Sequence, residues 1–367
     1  MAVNPRPFAI DLFAGAGGFT LAAKRAGMDV QVAVEIDRHA CQTYRHNLVP
    51  QGSKTPRVIE KDIRKVDWKS ELSLVDIAPG ECSILLGGPP CQGYSTHRIN
   101  DSGVNDPRNE LLLAYFDCLD FIKPEAFLVE NVPGLLWPRH AEYLGEFLKK
   151  AGREYAVLAP VAVNARDYGV PQNRKRVFIL GIRKDLPSVK VEWPPAKTHY
   201  APLSEEVRQG KNSWISASTV FEKPLRPSDP NAIHMNHGPE LIEVFKRTPK
   251  NGGSRRDSGR VLSCHKDHDG HKDVYGRIDP SVPGPTMTTA CINPSKGRFV
   301  HPIENHGITA RHAARFQTFP DTFTFSGGLI ASGQQIGNAV PVDLGTCLIK
   351  SILGIVKKAK SASRKCA

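Results

Sequence analysis

One cysteine stands where the local sequence would hold a thiol in a fixed direction. Segment 87–95 has the sequence GGPPCQGYS and follows the apolar run at 83–86. An apolar run closed by Gly and Pro is typical of a buried strand that ends abruptly, and proline fixes the backbone beside the thiol. In open parallel sheets, reactions occur beyond the carboxyl ends of the strands. Cys91 is therefore a candidate nucleophile, although most free cysteines are small buried hydrophobes.

Two further groups of reactive side chains adjoin strand-like runs. The apolar run at 126–129 ends in Glu130, and a glutamate at a strand end is rarely buried without a partner or a function. Basic side chains at 174–176 precede the apolar run at 177–180. Arginines at such a junction can hold a phosphate or the carbonyl of a base. A surface acid and a solvated basic rim are the alternatives that these residues leave open.

The N-terminal part has the pattern of a site for a nucleoside-containing cofactor. A strand-like run leads into the glycines of 15–18 and then into a helix-like stretch. A second strand ends in Glu35, about 20 residues further on, where a carboxylate can accept ribose hydroxyls. A third leads to Asp62, which could meet an adenine amino group. The spacing is not G-x-G-x-x-G, which disfavours a nicotinamide oxidoreductase.

Alternating strand and helix patterns predict an α/β fold with a parallel sheet. The alternation stops at about Pro194, and segment 245–277 carries nine Lys/Arg against four Asp/Glu. Its adjacent arginines at 255 and 256, in a glycine-bearing loop, indicate contact with nucleic acid. Regular patterns return late in the chain. We expect a catalytic and cofactor-binding domain at 1–190, an inserted domain at 191–300, a return to the first domain at 301–358 and a basic tail at 359–367.

The composition is that of a globular protein with a basic surface. The 367 residues are 40% hydrophobic and 23% charged, with a net charge of +12, which favours a polyanionic partner. No apolar run approaches the ~20 residues of a membrane helix, and the start lacks the apolar core of a signal peptide, so we expect a cytosolic protein. Eight cysteines without a C-x-x-C predict free thiols in a reducing compartment. The stretch 264–271, with one cysteine and three histidines, lacks zinc-ligand spacing, so we expect no metal.

Eight blocks of sequence resemble, in order, those of the DNA (cytosine-5) methyltransferases, in particular the prokaryotic restriction-modification type. The resemblance extends from about Phe8 to Lys358 and implies a Rossmann-like S-adenosylmethionine-dependent methyltransferase sheet. The inserted domain would be a smaller, irregular target-recognition domain. The blocks are DLFAGAGG (11–18), the acid Glu35, KDI (61–63), GGPPCQGYS (87–95), ENVPG (130–134), QNRKR (172–176), RFQTFPD (315–321) and QIGNAVP (335–341).

The resemblance implies methylation of carbon 5 of a specific cytosine in double-stranded DNA. Carbon 5 is a poor nucleophile until a thiolate adds to carbon 6, and Cys91 would add to a base flipped out of the duplex. Glu130, in its protonated form, would donate to N3 of the base. Arg174 and Arg176 would hold the base carbonyl. The residues expected to contact the nucleic acid are Gln92, Ser95, Arg255 and Arg256.

S-adenosylmethionine would be the methyl donor. Glu35 would bind its ribose, and Asp62 with Ile63 its adenine. We expect a monomer that acts on double-stranded DNA, with a restriction endonuclease acting at the same site without forming a stable complex. The recognition sequence cannot be deduced, because no code relates loops to base edges. The residues expected to hold the donor are Phe13, Gly15, Gly17, Glu35, Asp62, Ile63, Pro89, Asn338 and Val340.

Two alternatives share parts of this pattern. A tRNA cytosine-5 methyltransferase of the same fold would carry the same chemical blocks and a basic surface. The insert at 191–300 is large enough to read a major groove, and the Gly-Tyr-Ser at 93–95 is more similar to the DNA enzymes. A catalytically inactive DNA-binding relative would lack the Pro-Cys or the Glu-Asn block, and both are present.

Overall fold

A computed structural model describes residues 6–90, 110–190, 192–259 and 274–366, the last four by their backbone alone. The predicted positions Cys91, Gln92 and Ser95 lie outside the described residues, as does the stretch 264–271. The chain forms two compact units. Unit 1 contains residues 1–164, 175–196 and 344–367, and unit 2 contains residues 165–174 and 197–343.

Unit 1 is built on a mixed sheet. Its strands, among the described residues, are β1 (Phe8–Leu12), β2 (Asp29–Glu35), β3 (Arg57–Glu60), β4 (Ile84–Gly87), β5 (Ala126–Asn131), β6 (Tyr155–Val157), β7 (Val161–Asn164) and β8 (Lys175–Arg183). Their order is β3-β2-β1-β4-β5-β8-β6, with β7 also paired to β8. The first five strands pair in parallel, whereas β8 pairs antiparallel with β5, β6 and β7. The predicted α/β class is confirmed.

Helices alternate with the parallel strands, and short polar side chains mark where several begin. Asp37 accepts from the backbone N–H of Ala40 at the start of the second helix, and Asp67 accepts from that of Ser70 at the start of the third. The helices assigned to unit 1 are α1 (Gly18–Arg25), α2 (Arg38–Leu48), α3 (Trp68–Ser73), α4 (Glu110–Ile122), α5 (Ala141–Ala151) and most of α11 (Val342–Cys366).

The centre of the unit 1 sheet is buried on both faces, as expected for parallel strands covered by helices. Every residue of β4 and β5 is buried. Edge-to-face aromatic contacts fill one side: the ring of Phe127 lies 5.9 Å from that of Phe147 and 5.2 Å from that of Tyr155. Such pairs contribute roughly 0.5–1.5 kcal/mol beyond their buried area. This rigid centre supports the strand ends on which the site residues lie.

Unit 2 has little regular structure, as the prolines predicted. Its elements, among the described residues, are β9 (His199–Tyr200), α6 (Glu205–Arg208), β10 (Asn212–Ser213), α7 (Ser218–Glu222), α8 (Pro239–Arg247), α9 (Ala310–Phe316) and α10 (Gly328–Asn338), with 3-10 turns between them. Buried arginines satisfy its loop carbonyls. Arg277, 1% exposed, donates to the carbonyl oxygens of Phe245, Thr248, His301 and Glu304.

The C-terminus differs from the sequence expectation. The last helix was expected to end near Lys358, before a basic tail at 359–367. Instead α11 continues to Cys366, because Ala359 is fully buried and the ammonium of Lys360 pairs with Glu125. The compact units also group 301–343 with the inserted part of the chain, whereas the sequence assigned 301–358 to the first domain. The roles given to the domains stay predictions.

One apolar helical stretch, 328–362, is long enough to cross a membrane by length and composition. The most apolar 18 residues of this stretch are 61% buried inside the protein, as core helices of folded domains are. A buried core helix has the same length and composition, so this stretch is weak evidence for a membrane span.

Histidines cluster in unit 2. The rings of His234 and His306 stack with centroids 3.9 Å apart, and the ring of His301 lies 5.5 Å from that of His306 and 5.3 Å from that of His312. Burial lowers the pKa of His301 to about 4 and that of His312 to about 2. After burial, the causes of these lowered pKa values are the neighbouring histidine, His306 for His301 and His301 for His312, and then the cations Arg277 and Arg315 respectively. His301 and His312 are therefore neutral in the folded protein at pH 7.

We expect the protein to lose stability as the pH falls from about 6.5 towards 4. A histidine with a lowered folded-state pKa stabilises the fold above its unfolded pKa, and below it each proton that only the unfolded chain binds costs up to about 1.4 kcal/mol per pH unit. Thermal unfolding measured across this range should show a shallower acid slope for His312→Asn than for the wild type. His46→Asn, which alters an exposed histidine of α2, should leave the slope unchanged. Equal slopes for all three proteins would contradict this prediction.

Candidate active site

The predicted site residues of unit 1 gather at one edge of the sheet because parallel strands end together. The glycine turn follows β1, Glu35 ends β2, Asp62 follows β3 and Pro89 follows β4. Since the spatial order is β3-β2-β1-β4-β5, these segments lie side by side. Glu130 belongs to β5, the next strand along. Sequence positions almost 120 residues apart, from 13 to 130, therefore form a single row.

Arg176 reaches the same edge because its strand runs in the opposite direction. β8 pairs antiparallel with β5, with Glu130 opposite Phe178, so the start of β8 lies at the end of β5. Arg176 Nε is 2.9 Å from Glu130 Oε1, and the two side chains are 14% and 11% exposed. The contact is an ion pair without hydrogen-bond alignment, since Glu130 Oε1 accepts no hydrogen bond among the described residues. An acid and a guanidinium are thus brought together in a nearly closed setting.

The segment that leads to Cys91 is fastened to the turn that carries Glu130. Asn131 Nδ2 donates to the carbonyl oxygen of Pro89 at 3.2 Å, and Asn131 Oδ1 accepts from the N–H of Val132 at 2.8 Å. A Cβ built on Gly88 would lie 3.2 Å from Glu130 Oε2. Pro89 is buried, and the chain directly before Cys91 therefore lies against the carboxylate of Glu130.

Glu35 is bound to the glycine turn. Its Oε2 accepts from the N–H of Gly15 at 2.8 Å, and its Oε1 accepts from the N–H groups of Ile36 and Asp37, both at 2.8 Å. Burial raises the pKa of Glu35, and these three hydrogen bonds oppose that shift. A carboxylate has about four acceptor positions, so Glu35 can still accept from a ligand hydroxyl.

The glycine turn combines an open position with a crowded one. Phe13, Gly15 and Gly17 have positive φ values of 55°, 54° and 93°. Among the described residues, no atom lies within 4 Å of a Cβ built on Gly15, whereas one built on Gly17 would lie 2.2 Å from Leu48 Cδ1. Gly17 is therefore required for the turn to pack on α2, and the space beside Gly15 is available to a ligand.

Asp62 and Ile63 follow β3. Asp62 caps a 3-10 turn and accepts from the backbone N–H of Arg64 at 3.0 Å and from its Nη2 at 2.6 Å. These bonds lower the pKa of Asp62 to about 2, so its carboxylate is an ionised acceptor. Ile63 is 6% exposed and packs in the core.

Other residues of this edge were not singled out from the sequence. Ile36, directly after Glu35, is 67% exposed and offers an apolar surface beside the carboxylate. Asp11 Oδ2 accepts from the hydroxyl of Thr20 at 2.7 Å, and that hydroxyl is 2.7 Å from the hydroxyl of Tyr44. Asp11 is fully buried and its Oδ1 has no hydrogen-bond partner among the described residues, so burial raises its pKa to about 7. The sequence does contain a sign of this buried acid, because Asp11 stands inside the apolar run of β1.

Two pairs of arginines that the sequence predicted to act together have different surroundings in the structure. Arg174, 1% exposed, donates to the carbonyl oxygens of Met287, Gly337 and Ala339, whereas Arg176 lies beside Glu130 in unit 1. Arg255 is 4% exposed, whereas Arg256 is exposed. We therefore keep Arg176 and Arg256 as candidates for contact with a ligand, because Arg174 and Arg255 are buried. The two further predicted donor-binding residues are Asn338, which is exposed, and Val340, which is buried.

A family model described as C-5 cytosine-specific DNA methylase matches residues 8–354 of the chain. The chain is 32% identical to Type II methyltransferase M1.HphI of Haemophilus parahaemolyticus, over 94% of this chain and 86% of that protein. It is 31% identical to Type II methyltransferase M.Eco47II of Escherichia coli, over 95% of this chain and 79% of that protein.

Solved structures share the fold. A DNA modification methyltransferase encoded within an E. coli prophage superposes with a TM-score of 0.71 at 23% identity, over 96% of this chain and 99% of that one. The Entamoeba histolytica methyltransferase EhMeth superposes with a TM-score of 0.64 at 17% identity, over 96% and 99%. The Rossmann-like methyltransferase fold predicted from the sequence is confirmed.

We expect the free energy of unfolding to depend on pH through the carboxyl group of Asp11. Its folded pKa is raised to about 7 from 3.8, so its contribution to stability is complete below about pH 4 and is lost as the pH rises through about 7. Relative to Asp11→Asn, the unfolding free energy of the wild type should therefore fall by up to about 1.4 kcal/mol per pH unit over that range. Denaturant titrations from pH 4 to 8 test this, with exposed Asp120→Asn as the control. Parallel curves for wild type and Asp11→Asn would contradict it.

Proposed function

This chain belongs to the C-5 cytosine-specific DNA methylase family, and we propose that it methylates a flipped-out cytosine in double-stranded DNA through a covalent adduct with Cys91. It is a DNA (cytosine-5) methyltransferase of the Type II restriction-modification type. The observation that supports the mechanism is the ion pair between Glu130 and Arg176 against the segment that leads to Cys91. Those three side chains supply a nucleophile, an acid and a cation.

The reaction needs each of these groups in turn. The Cys91 thiolate adds its electron pair to carbon 6, and the ring electrons move towards N3 and the carbonyl oxygen. Glu130, protonated for this step, donates to N3, while the guanidinium of Arg176 stabilises charge on the carbonyl. Carbon 5 is now an enamine carbon and would take the methyl group of a sulfonium donor, whose methyl–sulfur bond breaks so that the thioether leaves. Loss of the carbon-5 proton to water then expels the thiolate, and return of the N3 proton to Glu130 restores the neutral ring.

The ion pair also explains how a nearly closed site tolerates a glutamate before the base arrives. A carboxylate with 11% exposure is costly without a counter-charge, and Arg176 Nε provides one at 2.9 Å. A cytosine ring would compete for both partners, N3 for Glu130 and the carbonyl for Arg176. The same two side chains therefore serve as each other's partner in the free enzyme and as the ligands of the base.

The residues along the sheet edge fit a nucleoside-containing methyl donor, and we assign S-adenosylmethionine, which supplies an electrophilic methyl group. No described residue fills the space beside Gly15, and Glu35 retains acceptor positions for ribose hydroxyls. Ionised Asp62 can accept from an adenine amino group, and exposed Ile36 can cover the face of the base. Phe13, Gly17, Ile63, Pro89, Asn338 and Val340 complete the proposed set.

The inserted residues 191–300 are the proposed target-recognition domain, and membership of the DNA methylase family implies that the substrate is DNA. Gln92, Ser95 and Arg256 are assigned to DNA contacts. We propose a monomer in the cytosol, where a restriction endonuclease would act at the same recognition site without a stable complex. Bisulfite sequencing of DNA from cells that express the protein identifies the cognate base sequence.

We expect DNA that carries 5-fluorocytosine at the target position to form a stable adduct with Cys91. Fluorine replaces the carbon-5 proton, so the thiolate cannot be expelled after methyl transfer. Mass spectrometry of the denatured complex should show protein, oligonucleotide and one methyl group joined at Cys91. Cys91→Ala should form no adduct and should still bind the methyl donor, as measured by calorimetry.

Controls separate this mechanism from its rivals. Glu130→Gln should slow adduct formation while donor affinity is retained, because the amide cannot supply the same proton. Methyl transfer without an adduct at Cys91 would overturn the covalent route. Methyl label found on tRNA and never on duplex DNA would overturn the assignment of the substrate.

We expect Arg256→Ala to weaken DNA binding and to reduce its dependence on salt concentration. Arg255→Ala should leave that salt dependence unchanged. An exposed arginine that neutralises one phosphate contributes about 1 to the slope of log affinity against log salt concentration. Fluorescence anisotropy with duplex DNA at several salt concentrations measures that slope. Arg255, 4% exposed, should affect thermal stability instead. An unchanged slope for Arg256→Ala would remove this residue from the interface.

A further inference from the structure

We propose that Arg166, stacked on Trp214, forms a phosphate-binding site of unit 2 that holds the backbone of duplex DNA. The inference rests on the proposed function, which makes double-stranded DNA the substrate. Arg166, Trp214 and the two charged residues around them, Asp167 and Lys197, all belong to unit 2. None of the four takes part in the chemical steps at Cys91.

The guanidinium of Arg166 lies over the ring of Trp214, with its central carbon 3.6 Å from the ring centroid. At this distance the cation is in van der Waals contact with the ring and stacks on it. The contact restricts a long side chain in the free protein. Less conformational entropy is therefore lost when that side chain binds a ligand.

Trp214 is itself held in place, and the same contacts occupy the neighbouring acid. Its indole Nε1 donates to Asp167 Oδ1 at 2.9 Å, and its backbone N–H donates to the carbonyl oxygen of Tyr200 at 2.8 Å. Lys197 Nζ lies 3.0 Å from the other carboxylate oxygen of Asp167, Oδ2. The charge of Asp167 is therefore balanced by Lys197.

Arg166 keeps unused hydrogen-bonding capacity. Its Nε has no hydrogen-bond partner among the described residues, and Asp167 Oδ1 lies 4.0 Å from it, beyond hydrogen-bond distance. The side chain is 27% exposed, so a ligand can reach it from solvent. Arg174 and Arg277, by contrast, use their guanidinium groups to bind backbone carbonyls. A guanidinium fixed by a ring still offers its donors to an anion.

Both partners of the stack are anchored to one small sheet. Arg166 belongs to the 3-10 turn Ala165–Tyr168. The N–H of Thr198, directly before β9, donates to the carbonyl oxygen of Asp167 in that turn at 3.0 Å. Trp214 directly follows β10, which pairs with β9. The position of the guanidinium is thus set by backbone hydrogen bonds as well as by the ring.

Phosphate is the anion that this arrangement fits best. A planar guanidinium can present two parallel N–H groups to two phosphate oxygens, and an ammonium group adds a point charge. Lys197 is 56% exposed, and the ammonium of Lys211 lies 5.2 Å from the ring centroid of Tyr200 on the same sheet. Segments 165–168 and 197–214 together carry four basic side chains against three acidic ones. The local charge therefore favours an anionic ligand.

The test measures binding of duplex DNA by fluorescence anisotropy at several salt concentrations. Arg166→Ala should lower the slope of log affinity against log salt concentration by about 1, because one phosphate contact is lost, and should weaken binding roughly tenfold at about 0.1 M salt. The loss should be equal for two duplexes of unrelated sequence, since phosphate contacts carry no sequence information. Arg153→Ala, which removes the same charge from an exposed position after α5, is the matched control and should change neither quantity.

Further variants separate the charge from the geometry of the stack. Arg166→Lys keeps the charge and loses the planar fork, so affinity should fall while the slope stays near the wild-type value. Trp214→Leu removes the ring and should weaken binding more than Trp214→Phe, which keeps an aromatic face. Thermal unfolding shows that each compared variant is folded, and Arg166→Lys serves if Arg166→Ala does not fold.

The outcomes distinguish this site from the proposed function. If the wild type neither binds nor methylates duplex DNA, the proposed function fails and the inference falls with it. If the wild type methylates duplex DNA and Arg166→Ala keeps the wild-type slope, the stack is structural and only the inference fails. A loss of affinity for tRNA, with none for duplex DNA, would also overturn it.

Discussion

Parallel pairing of β1 to β5 is the constraint on which the catalytic unit depends. Parallel strands place all their carboxyl ends at one edge, and residues after successive strands become neighbours however far apart they are in sequence. The single antiparallel partner of β5 completes the arrangement. Because β8 runs in the opposite direction, its first residues arrive at the same edge and bring Arg176 to Glu130. Had β8 been parallel to β5, its last residue, Arg183, would have occupied that place.

In unit 2, which has little helix or strand, many backbone carbonyl groups need hydrogen-bond donors from side chains. Buried polar groups of the backbone need partners, and a guanidinium supplies five donors from one side chain. Arg174, Arg277 and Arg311 are among the largest fully buried side chains, and each donates to carbonyl oxygens of unit 2 loops. Part of the excess of basic residues is therefore internal scaffolding. Net charge alone overstates the surface that is available to DNA.

The strand ends and their acids could be predicted because apolar runs closed by Gly, Pro or an acid have few other interpretations. Glu35, Asp62 and Glu130 all lie at the predicted edge. The pairs of arginines could not be resolved, because adjacent basic residues look alike until the fold buries one of them. The buried acid Asp11 was missed for the same reason: its burial depends on Thr20 and Tyr44, which come from other elements.

By itself, the sequence determined the class of the fold, the identity of the reactive groups and the family, since these depend on residue types and on their order along the chain. Tertiary structure decided which groups meet. It paired Glu130 with Arg176, bound Arg174 to backbone carbonyls of unit 2, and buried Arg255 while leaving Arg256 exposed. The physical reason is that burial and hydrogen-bond partners are properties of segments packed together, and no single segment contains them.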